Sequence, residues 1–316
     1  MQQRRLGNSG LFVSAIGIGC NNFGGRVDQS GTRAVVDAAI DHGVNFFDTA
    51  DVYGDQQSEV MLGKALGARR SDVIIASKFG MPMGPGRHDK GGSRHYILRA
   101  VEASLARLGT DYIDLYQIHM PDRHTPIDET LDALSDLVAA GKVRYLGHSN
   151  FSGWQIADAH WVAQTRGYAK FVTAQNHYSL LEREVTNEVL PACERFNLGM
   201  LPYFPLASGL LTGKYKADEP PPAGTRLALV ERLARRSLTE GNFAVLQRLS
   251  EYAAAQDRNI LSLALCWLLS QPVIASVIAG ATTAQQVVDN VTAAESWRLS
   301  DAEMTQVTEL LLPEQG

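Results

Sequence analysis

Cysteine is scarce and odd in number. Cys20, Cys193 and Cys266 are the three in 316 residues, and no Cys-x-x-Cys occurs. That excludes a disulfide framework and a cysteine-ligated zinc, and it fits a reducing compartment. Basic residues are not in excess: 29 Lys and Arg stand against 34 Asp and Glu, a formal charge of −5. No basic stripe exists, which argues against a nucleic-acid partner. No apolar stretch follows Arg4 and Arg5, so no secretory signal is expected. Segment 259–288 carries no charge, but Gln271-Pro272 interrupts it and Ser262, Ser270 and Ser276 are scattered through it. A buried helix over 260–269 and a buried strand over 273–277 are expected there rather than a membrane span. These absences describe a soluble, cytoplasmic protein with no membrane partner.

Several chemical signatures are also missing. Gly17 and Gly19 are followed by Asn22 where a dinucleotide fingerprint needs its third glycine, so any dinucleotide is held without that loop. No Tyr-x-x-x-Lys is present, which removes the short-chain dehydrogenase pattern. His119 and His124 are too widely spaced for an H-E-x-x-H helix and the other histidines are scattered, so no metal is expected. A barrel glycosidase needs a pair of carboxylates, whereas here two strands end in His119 and Tyr203.

What is present is an alternation of short apolar runs with amphipathic stretches. Strands are expected over 15–19, 44–47, 73–77, 113–119, 143–148, 171–175, 199–203 and 273–278. Helices are expected over 32–41, 58–66, 94–108, 128–140, 152–164, 183–196 and 283–292, with more helix between 242 and 270. Runs rich in Val, Ile and Leu are buried on both faces, which means a parallel sheet covered by helices. Eight such units point to an α/β protein built as a single (β/α)8 TIM barrel over 1–316, although an open doubly wound sheet has the same periodicity. Residues 4–6 and 11–13 around Asn8-Ser9-Gly10 read as a short hairpin ahead of it. Segment 216–240, with Pro220-Pro221-Pro222 and Arg226, Arg232, Arg235 and Arg236, is the one long irregular stretch.

In a parallel barrel, chemistry sits at the carboxyl ends of the strands. The second strand ends at Asp48, with Tyr53 five positions on; the third ends at Lys78 and the fourth at His119. Adjacent strands lie about 4.8 Å apart, so these groups can share one mouth. A free phenol with a pKa near 10 is a poor acid, and a neighbouring ammonium lowers that value while a carboxylate keeps the ammonium charged. An imidazole opposite can hold a carbonyl oxygen, which suits carbonyl reduction or alcohol oxidation. Alone, each residue is a cap or a surface group; together, from three consecutive strand ends, they read as a catalytic set. The later ends carry Ser149, Asn150, Gln175, Asn176, Tyr203 and Gly280, which are neutral groups suited to an amide-bearing aromatic ring such as nicotinamide. Gly280 through Thr283 opens a helix whose backbone N–H groups favour a phosphate, with Thr282 or Thr283 as its cap. Ser208 to Lys214 reads as a flexible loop ending in a cation, fit for a pyrophosphate.

These motifs resemble those of the aldo-keto reductases along essentially the whole chain. The resemblance is carried by Phe47-Asp48-Thr49-Ala50-Asp51-Val52-Tyr53-Gly54, by Ile75-Ala76-Ser77-Lys78 and by Asp114-Leu115-Tyr116-Gln117-Ile118-His119. Tyr203-Phe204-Pro205-Leu206 through Lys214-Tyr215, and Gly280 through Gln286 with Asp289-Asn290, complete it. The resemblance implies Tyr53 as general acid/base, Lys78 and Asp48 as its tuners, and His119 as the group that orients the carbonyl. It implies Ser149, Asn150 and Gln175 on the nicotinamide amide, with Tyr203 stacked on the ring. It places Phe204, Pro205, Leu206, Ala207, Ser208, Gly209 and Lys214 along the pyrophosphate, and Gly280, Thr282, Gln286, Asp289 and Asn290 around the adenosine. NADPH/NADP+ is the implied cofactor, with NAD possible, and Lys214 and Arg226 are the candidates for a 2′-phosphate. Asn21 and Asn22 stand where relatives often carry Thr and an aromatic residue, so the substrate wall beside Tyr53 and His119 is more polar, hinting at a hydroxylated substrate. His148 faces inward if alternation holds and reads as a satisfied core histidine. Two alternatives stay open: a sugar or polyol dehydrogenase working oxidatively, and a cofactor-binding regulatory subunit like the potassium-channel β subunits of the same family.

Overall fold

The computed structural model describes residues 1–312; the last four residues of the expected 1–316 domain lie outside the described residues. A hairpin of β1 (Gln3–Arg5) and β2 (Phe12–Ser14) leads into β3 (Ile16–Gly19), α1 (Gln29–Asp41), β4 (Phe46–Asp48) and α2 (Gln57–Leu66). Then come β5 (Ile74–Phe79), α3 (Arg94–Leu108), β6 (Ile113–Ile118), α4 (Ile127–Ala139), β7 (Val143–Ser149) and α5 (Gly153–Arg166). The chain continues through β8 (Phe171–Gln175), α6 (Val189–Phe196), β9 (Gly199–Met200), α7 (Arg226–Leu229), α8 (Glu231–Ser237) and α9 (Glu240–Ala255). It ends with α10 (Ile260–Leu269), β10 (Val277–Gly280), α11 (Ala284–Glu295) and α12 (Asp301–Leu310). The eight strands after the hairpin are parallel in the order β10-β3-β4-β5-β6-β7-β8-β9. Parallel bridges from Met200 to Ile274 and from Tyr203 to Ile278 join the two ends. The result is the (β/α)8 barrel expected above.

Several helices start where a short polar side chain takes up a free backbone N–H. Asp28 accepts from Gly31, Ser93 from Tyr96, Asn259 from Ser262 and Thr283 from Gln286. Two apolar layers result. Val35, Ile97, Leu134 and their neighbours fill the space between helices and strands. Phe46, Ala76, Leu115, Leu201 and Ile278 fill the barrel interior together with Leu6 and Val13 of the hairpin. Gly7, at φ +55°, lets the hairpin press against the barrel floor, since a Cβ there would lie 2.1 Å from the Val172 carbonyl oxygen. The hairpin therefore closes the floor of the barrel.

Several expectations shift. The last strand starts at Val277 rather than 273, because the Ile274 N–H is turned back to the Gln271 carbonyl after Pro272. Residues 201–203 leave the ladder after Met200, and Tyr203 keeps only single bridges, to His177 and Ile278. The 183–196 helix begins as one 3-10 turn, Glu184–Thr186, before α6. Segment 216–240 is not wholly irregular, since it holds α7 and α8, and α12 was not anticipated. Ser208 to Lys214 is no flexible loop: a 3-10 turn over Ala207–Thr212 is anchored by the buried Leu210 and Leu211. Among the described residues, no helix is long and apolar enough to cross a membrane.

His148 is neither inward-facing nor satisfied. Its neighbour Gly147 faces the interior, where a Cβ would meet Thr173 Oγ1 at 2.2 Å, so alternation turns His148 to the helix layer. There it stacks on Phe151 at 4.6 Å and meets Phe171 edge-on, and neither ring nitrogen has a partner. Burial lowers its pKa from 6.5 to about 3. Because the folded value is depressed, its contribution is present above pH 6.5 and is lost as pH falls toward about 3. His148→Leu should therefore stabilise the fold by about 1–3 kcal/mol at neutral pH by removing two orphaned nitrogens. It should also flatten the acid limb of stability against pH, read by thermal melts across that range. A lower melting temperature at neutral pH would refute this.

Candidate active site

Asp48 ends β4, Lys78 lies on β5, Gln117 on β6 and Gln175 ends β8, and their side chains meet inside the barrel mouth. Asp48 Oδ2 accepts from Lys78 Nζ at 2.6 Å, while Oδ1 accepts from Gln175 Nε2 at 2.8 Å and Gln117 Nε2 at 3.3 Å. Lys78 is fully buried. Its three N–H groups are all used: on Asp48, on the Thr49 carbonyl at 2.9 Å and on Tyr53 Oη at 3.3 Å. Since the ammonium has only protons to give, Tyr53 Oη is an acceptor toward Lys78, and its own proton is left to point into the cavity.

Electrostatics follow from this packing. Burial pulls the Lys78 pKa down, but Asp48 and then Tyr53 outweigh it and hold the value above the usual lysine range. Burial raises the Tyr53 pKa, and the Lys78 ammonium offsets only part of that rise. The expected lowering is thus present as a force but not as the net result, so Tyr53 is a loaded acid at neutral pH. Burial, and then the Lys78 charge, drive His119 from 6.5 down to about 3, so its imidazole is neutral. It meets the Tyr53 ring edge-on at 5.7 Å, and its Nδ1 has no partner.

Beside this group, Asn150 sits in the left-handed region at φ +62°. Its Nδ2 donates to the His119 carbonyl at 3.0 Å and to Ser149 Oγ at 3.0 Å, and its Oδ1 accepts from Tyr203 Oη at 2.8 Å. Tyr203 stacks one face on His177 at 5.4 Å. Phe204, Ala207 and Ser208 also have positive φ, a concentration of backbone strain along one wall.

All of this opens on a cavity of about 800 Å³. Its lining includes Asp48, Tyr53 and His119, with Lys78 buried directly behind, and both Asn21 and Asn22. Ser149, Asn150, Gln175, Tyr203, Phe204, Pro205, Leu206, Ser208, Gly209, Lys214, Arg226, Gly280, Thr282, Gln286, Asp289 and Asn290 line it too. Ala207 does not; it packs against the core. The helix cap is Thr283 rather than Thr282, and Gln286 Oε1 already accepts from the Thr282 N–H at 2.9 Å. Some residues escaped the sequence reading: Gln117 could have been found from alternation, since it shares a strand face with His119, whereas Arg26 and Met120 lie in loops without a periodic signal.

The cavity also gathers cations: Arg26, Lys214, Arg226 and Arg232 line it. Among the described residues, no carboxylate pairs with any of them. Burial and then the Arg26 guanidinium push Lys214 and Arg226 below their ordinary values. Like charges held together without counter-charge are a place for phosphates. One cavity lined by a proton donor, neutral amide and hydroxyl groups and cations without counter-charge fits a nicotinamide dinucleotide. No group of His, Cys, Asp and Glu among the described residues could hold a metal.

Comparison with known proteins agrees. A model of the Aldo/keto reductase family matches residues 15–312. The chain is 39% identical over 306 residues to the "uncharacterized oxidoreductase YrpG" of Bacillus subtilis, covering 93% of this chain and 91% of that protein. It is 39% identical over 300 residues to a "probable voltage-gated potassium channel subunit beta" of Oryza sativa, with the same 93% and 91% coverage. Against the "L-glyceraldehyde 3-phosphate reductase" of Escherichia coli K12 it is 34% identical over 318 residues, covering 97% and 91%. The chain belongs to the aldo/keto reductase family and is an NAD(P)H-dependent oxidoreductase.

Proposed function

We propose that this protein, acting as one barrel domain in the cytoplasm, reduces an aldehyde or ketone to its alcohol with NADPH. The observation that carries this reading is the Asp48–Lys78–Tyr53 chain ending beside His119 on one cavity that four cations without counter-charge also line. Three buried free cysteines are in keeping with a reducing compartment.

Bound cofactor supplies the hydride; everything else falls to the chain. His119, neutral and lining the cavity, donates to the carbonyl oxygen and sets its direction. Tyr53 passes its phenolic proton to that oxygen as charge develops, and the Lys78 ammonium stabilises the phenolate left at Oη. Asp48, clamped by Gln117 and Gln175, keeps Lys78 charged and aimed. Ser149, Asn150 and Gln175 would hold the nicotinamide amide, with the ring against Tyr203. Phe204 to Gly209 and Lys214 would take the pyrophosphate. Gly280, Thr282, Gln286, Asp289 and Asn290 would take the adenosine, and Lys214 and Arg226 the 2′-phosphate. Asn21 and Asn22 give the substrate wall hydrogen-bonding capacity suited to a hydroxylated carbonyl compound.

The test is turnover of a carbonyl panel with either reduced dinucleotide, followed by absorbance of the reduced ring. Arg226→Ala and Lys214→Ala should each weaken NADPH binding about 10-fold or more, the worth of a charge-assisted hydrogen bond, and leave NADH nearly unaffected. Equal losses for both dinucleotides would remove the 2′-phosphate assignment. The rice relative's name raises a partner-binding reading, and absence of turnover with every carbonyl and alcohol tried would favour it.

A further inference from the structure

A second set of buried ionisable groups lies behind the loop that carries Tyr53. Asp51 and Glu59 are 1% and 0% exposed and share one compartment with a single guanidinium, Arg107. Glu59 already holds it: Arg107 Nε donates to Glu59 Oε2 at 2.7 Å, and Ser77 Oγ donates to Oε1 at 2.5 Å. Asp51 is left with one side-chain neighbour, Tyr96 Oη at 3.3 Å from Oδ2, and its Oδ1 has no partner. The Asp51 peptide N–H donates to the Lys78 carbonyl at 3.1 Å, so this carboxyl is wired to the catalytic strand. Tyr96 Oη also lies 3.4 Å from the Met81 carbonyl, and Met81 lines the cavity. A hydroxyl has one proton, and here it faces two acceptors.

We propose that Asp51 and Tyr96 are positioning residues that form a proton-gated tether between the Tyr53 loop and the 80–93 segment, whose Met81 lines the cavity. When Asp51 is protonated, its O–H donates to Tyr96 Oη, and the Tyr96 O–H is free to donate to the Met81 carbonyl. When Asp51 gives its proton to solvent, the Tyr96 O–H turns to the carboxylate, and the Met81 carbonyl is released. No other donor is needed in either state.

The surroundings put this exchange near neutrality. Burial first, and the Glu59 charge second, raise Asp51 from 3.8 to about 7, against opposing contributions from Arg107 and Tyr96. The remaining group facing the compartment is the Tyr116 phenol from β6, itself pushed far up by burial and then by Asp51, so it stays neutral. The tether is therefore closed on the acid side of neutrality and open on the alkaline side.

Hydrogen exchange of the 80–93 amides, corrected for the intrinsic rate, reads the tether without any substrate. In the wild type, exchange should be about 2- to 10-fold faster at about pH 8 than at about pH 6, the range expected for loss of one hydrogen bond. Asp51→Asn, whose amide donates to Tyr96 Oη at every pH, should abolish the step and keep the segment protected. Tyr96→Phe should exchange fast throughout. KM for the carbonyl should rise over the same interval in the wild type and stay flat in Asp51→Asn, a split from kcat that mere loss of stability would not produce. That last effect rests on the reading of the site above, whereas the exchange result does not. A pH-independent wild type, or a step that survives in Asp51→Asn, would overturn the tether.

Discussion

Tyr53→Phe should lower kcat for carbonyl reduction by about 10²- to 10⁴-fold while leaving KM and dinucleotide affinity near their wild-type values. The reasoning is geometric. Tyr53 Oη accepts from Lys78 Nζ and has one proton left, aimed at the cavity. Phenylalanine fills the same space and keeps the edge-on contact with His119, but it has no proton to transfer. An interaction made only in the transition state is lost, so kcat and kcat/KM should fall together. Burial holds the phenol above its ordinary pKa, so the wild-type reduction rate should show no fall from Tyr53 ionisation around neutral pH. Steady-state kinetics with dinucleotide titration of both proteins decides this. A variant retaining most of its turnover would remove Tyr53 from the reaction.

Lys78→Met should abolish turnover and also destabilise the fold by about 3–5 kcal/mol, because it leaves the Asp48 carboxylate buried with only two amides as partners. The two effects have separate origins and can be pulled apart. Adding Asp48→Asn removes the stranded charge, so the double variant should regain most of the stability and none of the activity. Urea unfolding and kcat measured on the single and double variants test this. Recovery of activity along with stability would mean that Lys78 supports the fold rather than the chemistry.

The barrel was legible because short, mostly apolar runs recur between amphipathic stretches, and β3, β4 and β6 are indeed buried at every position. The grouping of Asp48, Tyr53, Lys78 and His119 was legible because strand ends in a parallel barrel converge, so Asp48, Lys78 and His119 could be placed together before any distance was known. What escaped depends on long-range packing. The 273–276 run is as apolar as a strand, but the turn at Gln271 claims the Ile274 N–H. Segment 226–237 carries too many arginines for a clear apolar stripe, yet Leu227 finds the core and α7 forms around it. The sign of the Tyr53 shift also could not be read from residue types, because it is a contest between the Lys78 charge and the depth of burial. Asp51 looked like part of a motif; only the structure shows that Arg107 is taken by Glu59 and that Asp51 is left with Tyr96 as its side-chain partner.

The most direct test of the central claim is a crystal structure with oxidised NADP bound. The account predicts the nicotinamide ring against Tyr203, its amide among Ser149, Asn150 and Gln175, the reactive carbon facing Tyr53 Oη and His119, and the phosphates among Lys214, Arg226 and Arg26. A dinucleotide bound elsewhere, or a nicotinamide turned away from Tyr53, would contradict it.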